Sequence, residues 1–237
     1  MNVDLQSIAF NVITTVGPLI LAIAVHEWAH VAMARFLGDP TGESMGRFTL
    51  NPLAHVDPLW TVGLPIYFVV ASSLGGAGHP MPFFAAGKPA PYNPVKLTRS
   101  FQGKRISVAM GELLVAAAGP LSNLVLALIS TAILVVLARN GDVLSGAEPE
   151  ALSMLVFKFV AMNISLFVFN LIPIPPLDGS KILFSLLPRP LAMTAMAAAE
   201  RFSFLLLIVV FVGGSTLLAP IQRAIVGALL HVVEVLA

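Results

Sequence analysis

His26, Glu27 and His30 form a His-Glu-x-x-His motif whose spacing already defines a chemistry. Four residues apart on a helix, the two imidazoles project from one face and can hold the same divalent ion. Glu27, beside the first of them, is placed to take a proton from water at that ion. A hydrolytic zinc site needs three protein ligands and one open position. The chain has no cysteine, so nitrogen and carboxylate oxygen must serve. Of the aspartates, Asp4 and Asp142 fall at the wrong end, and Asp39 and Asp57 fall in loops. Asp178 follows a proline-broken helix at the depth of the histidines and is the best third ligand. Two neutral imidazoles and one carboxylate leave the ion a net positive charge, which pulls the pKa of its water toward about 7. Asn123 and Asn170 are amides at a similar depth and candidate donors to a substrate oxyanion; the plainer alternative is interhelical hydrogen bonding. His55, between Asn-Pro and Asp-Pro turns, is a candidate substrate or metal contact, against a turn-stabilising role. His79 and His231 read as interfacial.

The elements that must position these groups are membrane helices. Of 237 residues, 57% are hydrophobic and 11% charged, against about 25% charged in soluble domains. The composition predicts an all-α polytopic membrane protein with about five to six transmembrane or re-entrant segments and short extended or β elements near the site. A net charge of +1 makes no case for nucleic acid. Eighteen prolines and 18 glycines imply broken helices. Residues 1–7 carry no basic residue, so the first apolar stretch reads as a retained span, not a cleaved leader. The whole chain reads as one domain, with a core over about 7–190 and C-terminal helices over 190–237.

The first helix is expected over about 7–37, bent at Pro18. From Ile8 to His26 it rises roughly 27 Å, so the histidines lie toward the far side of a core about 30 Å thick. Arg35 follows them, which places the metal near the cytoplasmic face. GRFTL (46–50) reads as a short strand and NPLAHVDP (51–58) as tight turns. Residues 59–74 are apolar but short, and either span or dip and return. A basic patch follows at Lys96, Arg99, Lys104 and Arg105, and the charge rule favours the return. Long helices are expected over 106–138, 151–171 and about 190–218. Residues 139–150, with three acids, suit the outer side. Residues 221–237 either cross the membrane or lie in its interface. The prolines at 173, 175 and 176 should leave Asp178 in extended backbone.

Taken together, HEWAH (26–30), GPLSN (119–123) and NLIPIPPLDG (170–179) resemble the site-2 protease family of intramembrane zinc metalloproteases, peptidase family M50. That family pairs HExxH on one transmembrane helix with N-x-x-P-x-x-P-L-D-G on another. The second pattern is matched from Asn170 through Pro173, Pro176 and Leu177 to Asp178 and Gly179. The resemblance implies one Zn²⁺ per chain held by His26, His30 and Asp178, with Glu27 as catalytic base. It implies a multi-pass protein of a prokaryotic cell membrane, cleaving transmembrane protein substrates within the lipid bilayer. Residues 46–58 and 87–95 also look like compact bacterial and archaeal members. No PDZ domain stands between the motif helices and no CBS pair follows the core, so the chain reads as a minimal form. Residues 46–50 or 88–95 are expected to offer an edge to an unwound substrate. The rival readings are a zinc-containing transporter or metal-handling protein, and a non-catalytic scaffold. The intact Glu27 speaks against the scaffold. Substrate identity and oligomeric state are not written in the sequence.

Overall fold

Backbone polar groups in lipid must find partners within their own segment, so apolar runs become helices and prolines mark their breaks. The computed structural model describes residues 5–74, 86–101, 103–140 and 151–236. Asp4, His79 and the acids Asp142, Glu148 and Glu150 lie outside these. The first helix, α1 (Leu5–Phe36), runs through Pro18 and carries His26, Glu27 and His30 in its second half. A single turn, α2 (Thr41–Ser44), follows. Residues 46–50 are bends and turns, not the expected strand. Their side chains are used individually, which explains the difference. Phe48 stacks on Trp28 at 6.1 Å and takes the Arg35 guanidinium at 4.7 Å. Arg47 Nη2 donates to Lys88 O and Pro89 O.

The expected turns at 51–58 form as a 3₁₀ turn, Pro52–Ala54, then a π-helical turn, Pro58–Gly63. Asn51 caps the first, and Asp57 caps the second through Leu59 N and Trp60 N. The helix α3 (Leu64–Ser73) continues from it. The chain then returns to where it left. Thr61 Oγ1 donates to Ala86 O at 2.6 Å, and Lys88 N donates to His55 O at 2.8 Å. Ala86 and Lys88 therefore stand beside the start of the helical run 58–73. Thr98 N and Arg99 N both donate to Leu37 O, which seats the basic patch beside the end of α1. A two-residue antiparallel ladder, β1 (Ser100–Phe101) with β2 (Lys104–Arg105), leads into α4 (Val108–Asn140).

The helix α5 (Ala151–Asn170) comes back along α4 and α1. Leu19, Ala22 and Ile23 of α1 pack on Leu166 of α5, and Ala127 of α4 packs on Ile164 and Val168. After α5 comes a helix the sequence reading missed, α6 (Asp178–Leu186), with Asp178 as its first residue. The extended backbone expected at Asp178 ends one residue earlier, at Leu177. Past the last proline nothing prevents a helix, and a carboxylate in its first turn faces the positive end of the helix dipole. The last helices are α7 (Arg189–Leu217) and α8 (Ala219–Leu236). The segment left open between span and interface packs lengthwise on the bundle. Ile225 and Val226 sit on the Ala127–Ile164 cluster, and Val233 sits on Leu134 and Val160. Among the described residues five helices, α1, α4, α5, α7 and α8, are long and apolar enough to cross a membrane, so the chain is an all-α polytopic membrane protein.

Candidate metal centre

Antiparallel packing of α4 on α1 builds the centre one helical turn at a time. His30 Nδ1 donates to Val115 O at 2.7 Å, His26 Nδ1 donates to Asn123 Oδ1 at 2.7 Å, and Asn123 Nδ2 donates to Ala22 O at 3.3 Å. Between these levels sits Gly119, where a Cβ would strike the His30 ring and come within 2.7 Å of His26 Cε1. Only glycine lets the two helices close at this level. Asp178 is delivered by the break after α5. A Cβ at Gly179 would press into the backbone of Leu171 and Ile172, so the start of α6 folds directly against the end of α5.

The result is a triangle. His26 Nε2, His30 Nε2 and Asp178 Oδ2 lie 3.1 Å from one another, and all three residues are buried. Both Nδ1 hydrogens are given to oxygen acceptors, so both Nε2 atoms turn lone pairs toward the carboxylate. Three electron-rich atoms at this distance need a cation between them. Ligands on tetrahedral arms of about 2.0–2.1 Å stand roughly 3.3 Å apart, close to what is found. The donor set of two imidazole nitrogens and one carboxylate oxygen suits zinc. The residues present therefore fit the metal. Lys181 Nζ lies 3.7 Å from Asp178 Oδ1, on the side away from the histidines.

A cavity of about 150 Å³ opens on the triangle and is lined by Glu27, Gly87, Ala90, Tyr92, Asn170 and Lys181, among others. Glu27 is buried beside the histidines, and no hydrogen bond engages its carboxylate among the described residues. The Tyr92 phenol is pushed up to about 12, chiefly by burial and further by Glu112 and Asp178, so it stays a proton donor at neutral pH. A strap without helix or strand, 86–93, lines the cavity through Gly87, Ala90 and Tyr92. Arg47 holds it through Lys88 O and Pro89 O, and Asp39 holds it through Asn93 N.

The other sequence candidates separate. Asn170 lines the cavity, with its amide nitrogen bonded to Leu166 O at 3.0 Å. Asn123 is fully buried and spends its Oδ1 on His26 and its Nδ2 on Ala22 O and Asn163 Oδ1. These bonds tie it to α1 and α5, the interhelical role weighed for it. His55 does not line the cavity. Its Nε2 bonds Thr49 O at 2.7 Å and its backbone holds Lys88, so it fastens the turn instead. Sequence reasoning missed Tyr92, Lys181 and Asn163. For Asn163 a signal existed: a polar residue in an apolar run, two helical turns before Asn170 and on the same face.

Peptidase family M50 matches at residues 140–210. A Bacillus subtilis (strain 168) protein named "Putative zinc metalloprotease YwhC" is 35% identical over 87% of this chain and 84% of its own length. Proteins named "Putative zinc metalloprotease Rip2" from Mycolicibacterium smegmatis and Mycobacterium tuberculosis (strain H37Rv) are 28% and 29% identical. These cover 84% and 81% of this chain, and 67% and 64% of their own lengths. No solved structure matches the chain. The likeness to the Bacillus protein, nearly end to end, joins the His-His-Asp triangle in one conclusion: the chain belongs to peptidase family M50.

Proposed function

We propose that this protein is a site-2-type intramembrane zinc endopeptidase that hydrolyses peptide bonds in or near transmembrane segments of other membrane proteins. One Zn²⁺ per chain is held by His26, His30 and Asp178. The observation that carries the reading is the buried 3.1 Å triangle with both Nδ1 hydrogens engaged elsewhere. When bound, zinc supplies Lewis acidity toward the scissile carbonyl and toward water. Glu27 takes the proton of the attacking water at its carboxylate and returns it to the leaving amide nitrogen. Tyr92 and Asn170 face the cavity where a peptide would lie.

Arg35, Lys96, Arg99, Lys104 and Arg105 gather at the end of the bundle that carries the site, which supports a cytoplasmic-side active centre. The bacterial relatives support a prokaryotic cell membrane. A helix hides its peptide bonds in its own hydrogen-bond ladder, so a substrate segment has to unwind to be cut. Unwound backbone in lipid must find new partners. Pro89, Ala90 and Tyr92 line the cavity, so residues 88–93 offer that edge better than the bent residues 46–50. Ala90→Pro, which removes one backbone donor from the strap, is expected to abolish cleavage while zinc stays bound. Unchanged cleavage would remove the strap from substrate binding.

The deciding experiment compares wild type with Glu27→Gln in detergent, measuring bound zinc and cleavage of membrane-segment substrates. Both should hold zinc, and the variant should cut about 10²–10⁴-fold more slowly. Equal cutting would overturn the role of Glu27. A wild type unable to hold zinc would overturn the protease reading in favour of a scaffold, and metal flux through vesicles would favour a transporter.

A further inference from the structure

We infer that Asn163 is a positioning residue for the metal centre, acting through Asn123 to decide which nitrogen of His26 is left for the ion. The inference rests on the reading of His26, His30 and Asp178 as ligands.

The two histidines are oriented by different means. His30 gives its Nδ1 hydrogen directly to a backbone carbonyl, Val115 O. A carbonyl can only accept, and a helix holds it in place, so His30 has one available tautomer. His26 gives its Nδ1 hydrogen to a side-chain amide, Asn123 Oδ1. An amide can rotate and present a donor instead. Were it to do so, His26 would carry its proton on Nε2, aimed at Asp178, and offer no lone pair to a metal.

Asn163 prevents the rotation. Its Nδ2 donates to Phe159 O at 2.9 Å, an acceptor fixed by its own helix. That turns Asn163 Oδ1 toward Asn123, where it accepts from Nδ2 at 2.9 Å. Ala22 O accepts from the same Nδ2 at 3.3 Å. With two acceptors on its nitrogen side, Asn123 can point only its oxygen at His26. The order of donors and acceptors thus runs in one direction from Phe159 O on α5, through α4, to the lone pair of His26 on α1. Asn123 and Asn163 are both fully buried, so no water can replace a missing partner. An amide relay set against a bare carbonyl makes His26 the ligand whose tautomer depends on a residue two bonds away.

The test uses full-length protein in detergent and reads zinc affinity by competition with a chelating indicator, with thermal midpoints of the metal-free forms alongside. Asn163→Leu should weaken zinc binding about 10- to 100-fold, the usual effect of losing an outer partner of a ligating histidine. Asn163→Ala, smaller and also lacking the acceptor, makes the same prediction should leucine disturb the helix contact. Asn163→Asp is isosteric, and as a neutral acid it can donate to Phe159 O and accept from Asn123. It should keep near-wild-type affinity. Ile164→Ala, a fully buried neighbour outside the relay, should lower the midpoint without weakening zinc binding. In an Asn123→Ala background, Asn163→Leu should add no further loss, because the relay is already cut. Wild-type affinity in both Asn163→Leu and Asn163→Ala would overturn the inference. So would zinc weakening in Ile164→Ala as large as theirs, or a full further loss in the Asn123→Ala background. A wild type that binds no zinc would overturn the ligand reading itself, a distinguishable result.

Discussion

Helices α1 and α7 are both long and apolar enough to span a bilayer, yet they are held in opposite ways. Over its most apolar stretch 39% of α1 is buried, whereas none of the corresponding stretch of α7 is. Hydropathy does not account for this, since lipid is as apolar as leucine and gives helices no reason to associate. Polar bonds between helices do account for it. His26, Asn123 and Asn163 join α1, α4 and α5, His30 bonds Val115, and Lys158 Nζ donates to Thr14 Oγ1 at 2.6 Å. The side-chain hydrogen bonds of α7 among the described residues, Thr194 to Pro190 O and Ser203 to Glu200 O, stay within α7. The chemistry sits where polar groups tie three helices into one arrangement, and the unbonded helix faces lipid.

Substitutions can break or sharpen that contrast. Asp178→Ala should have the largest effect, with zinc absent from purified protein by elemental analysis; zinc retained at full occupancy would show that a different third ligand is used. Gly119→Ala comes next. Its methyl group would enter the space of both imidazoles, so zinc should be lost and the thermal midpoint should fall by the equivalent of about 1–3 kcal/mol. A variant that melts and binds zinc like wild type would mean that α4 does not approach α1 so closely. Phe204→Ala on α7 should do least. Phe204 is 78% exposed, so stability should move by no more than about 0.5 kcal/mol and zinc binding not at all. A large loss there would place a packing partner on α7 and erase the contrast.

Much of the architecture was legible in the chain. The long apolar runs predicted α1, α4, α5 and α7 to within a few residues, because length and hydropathy are the requirements a bilayer imposes. Other elements were hidden for identifiable reasons. α6 is short and follows prolines, so a reading that lets prolines end structure overlooks the helix able to begin after them. GRFTL alternates like a strand but pairs with no strand among the described residues, and its aromatic and basic side chains are used singly.

The division between sequence and structure is clearest at the centre itself. The four-residue spacing of His26 and His30 puts both imidazoles on one face by itself, because helical geometry is local. The NLIPIPPLDG pattern brought Asp178 to the same depth, because prolines break a span at a definable point. What Asn123 does, by contrast, was decided only by packing. The sequence allows its amide to face a substrate or a neighbour. Three helices meeting at one level give its oxygen to His26 and its nitrogen to Ala22 and Asn163. Partners more than thirty residues apart in the chain cannot be assigned from spacing, since the choice between equally suitable donors and acceptors is made by which ones the fold brings within reach.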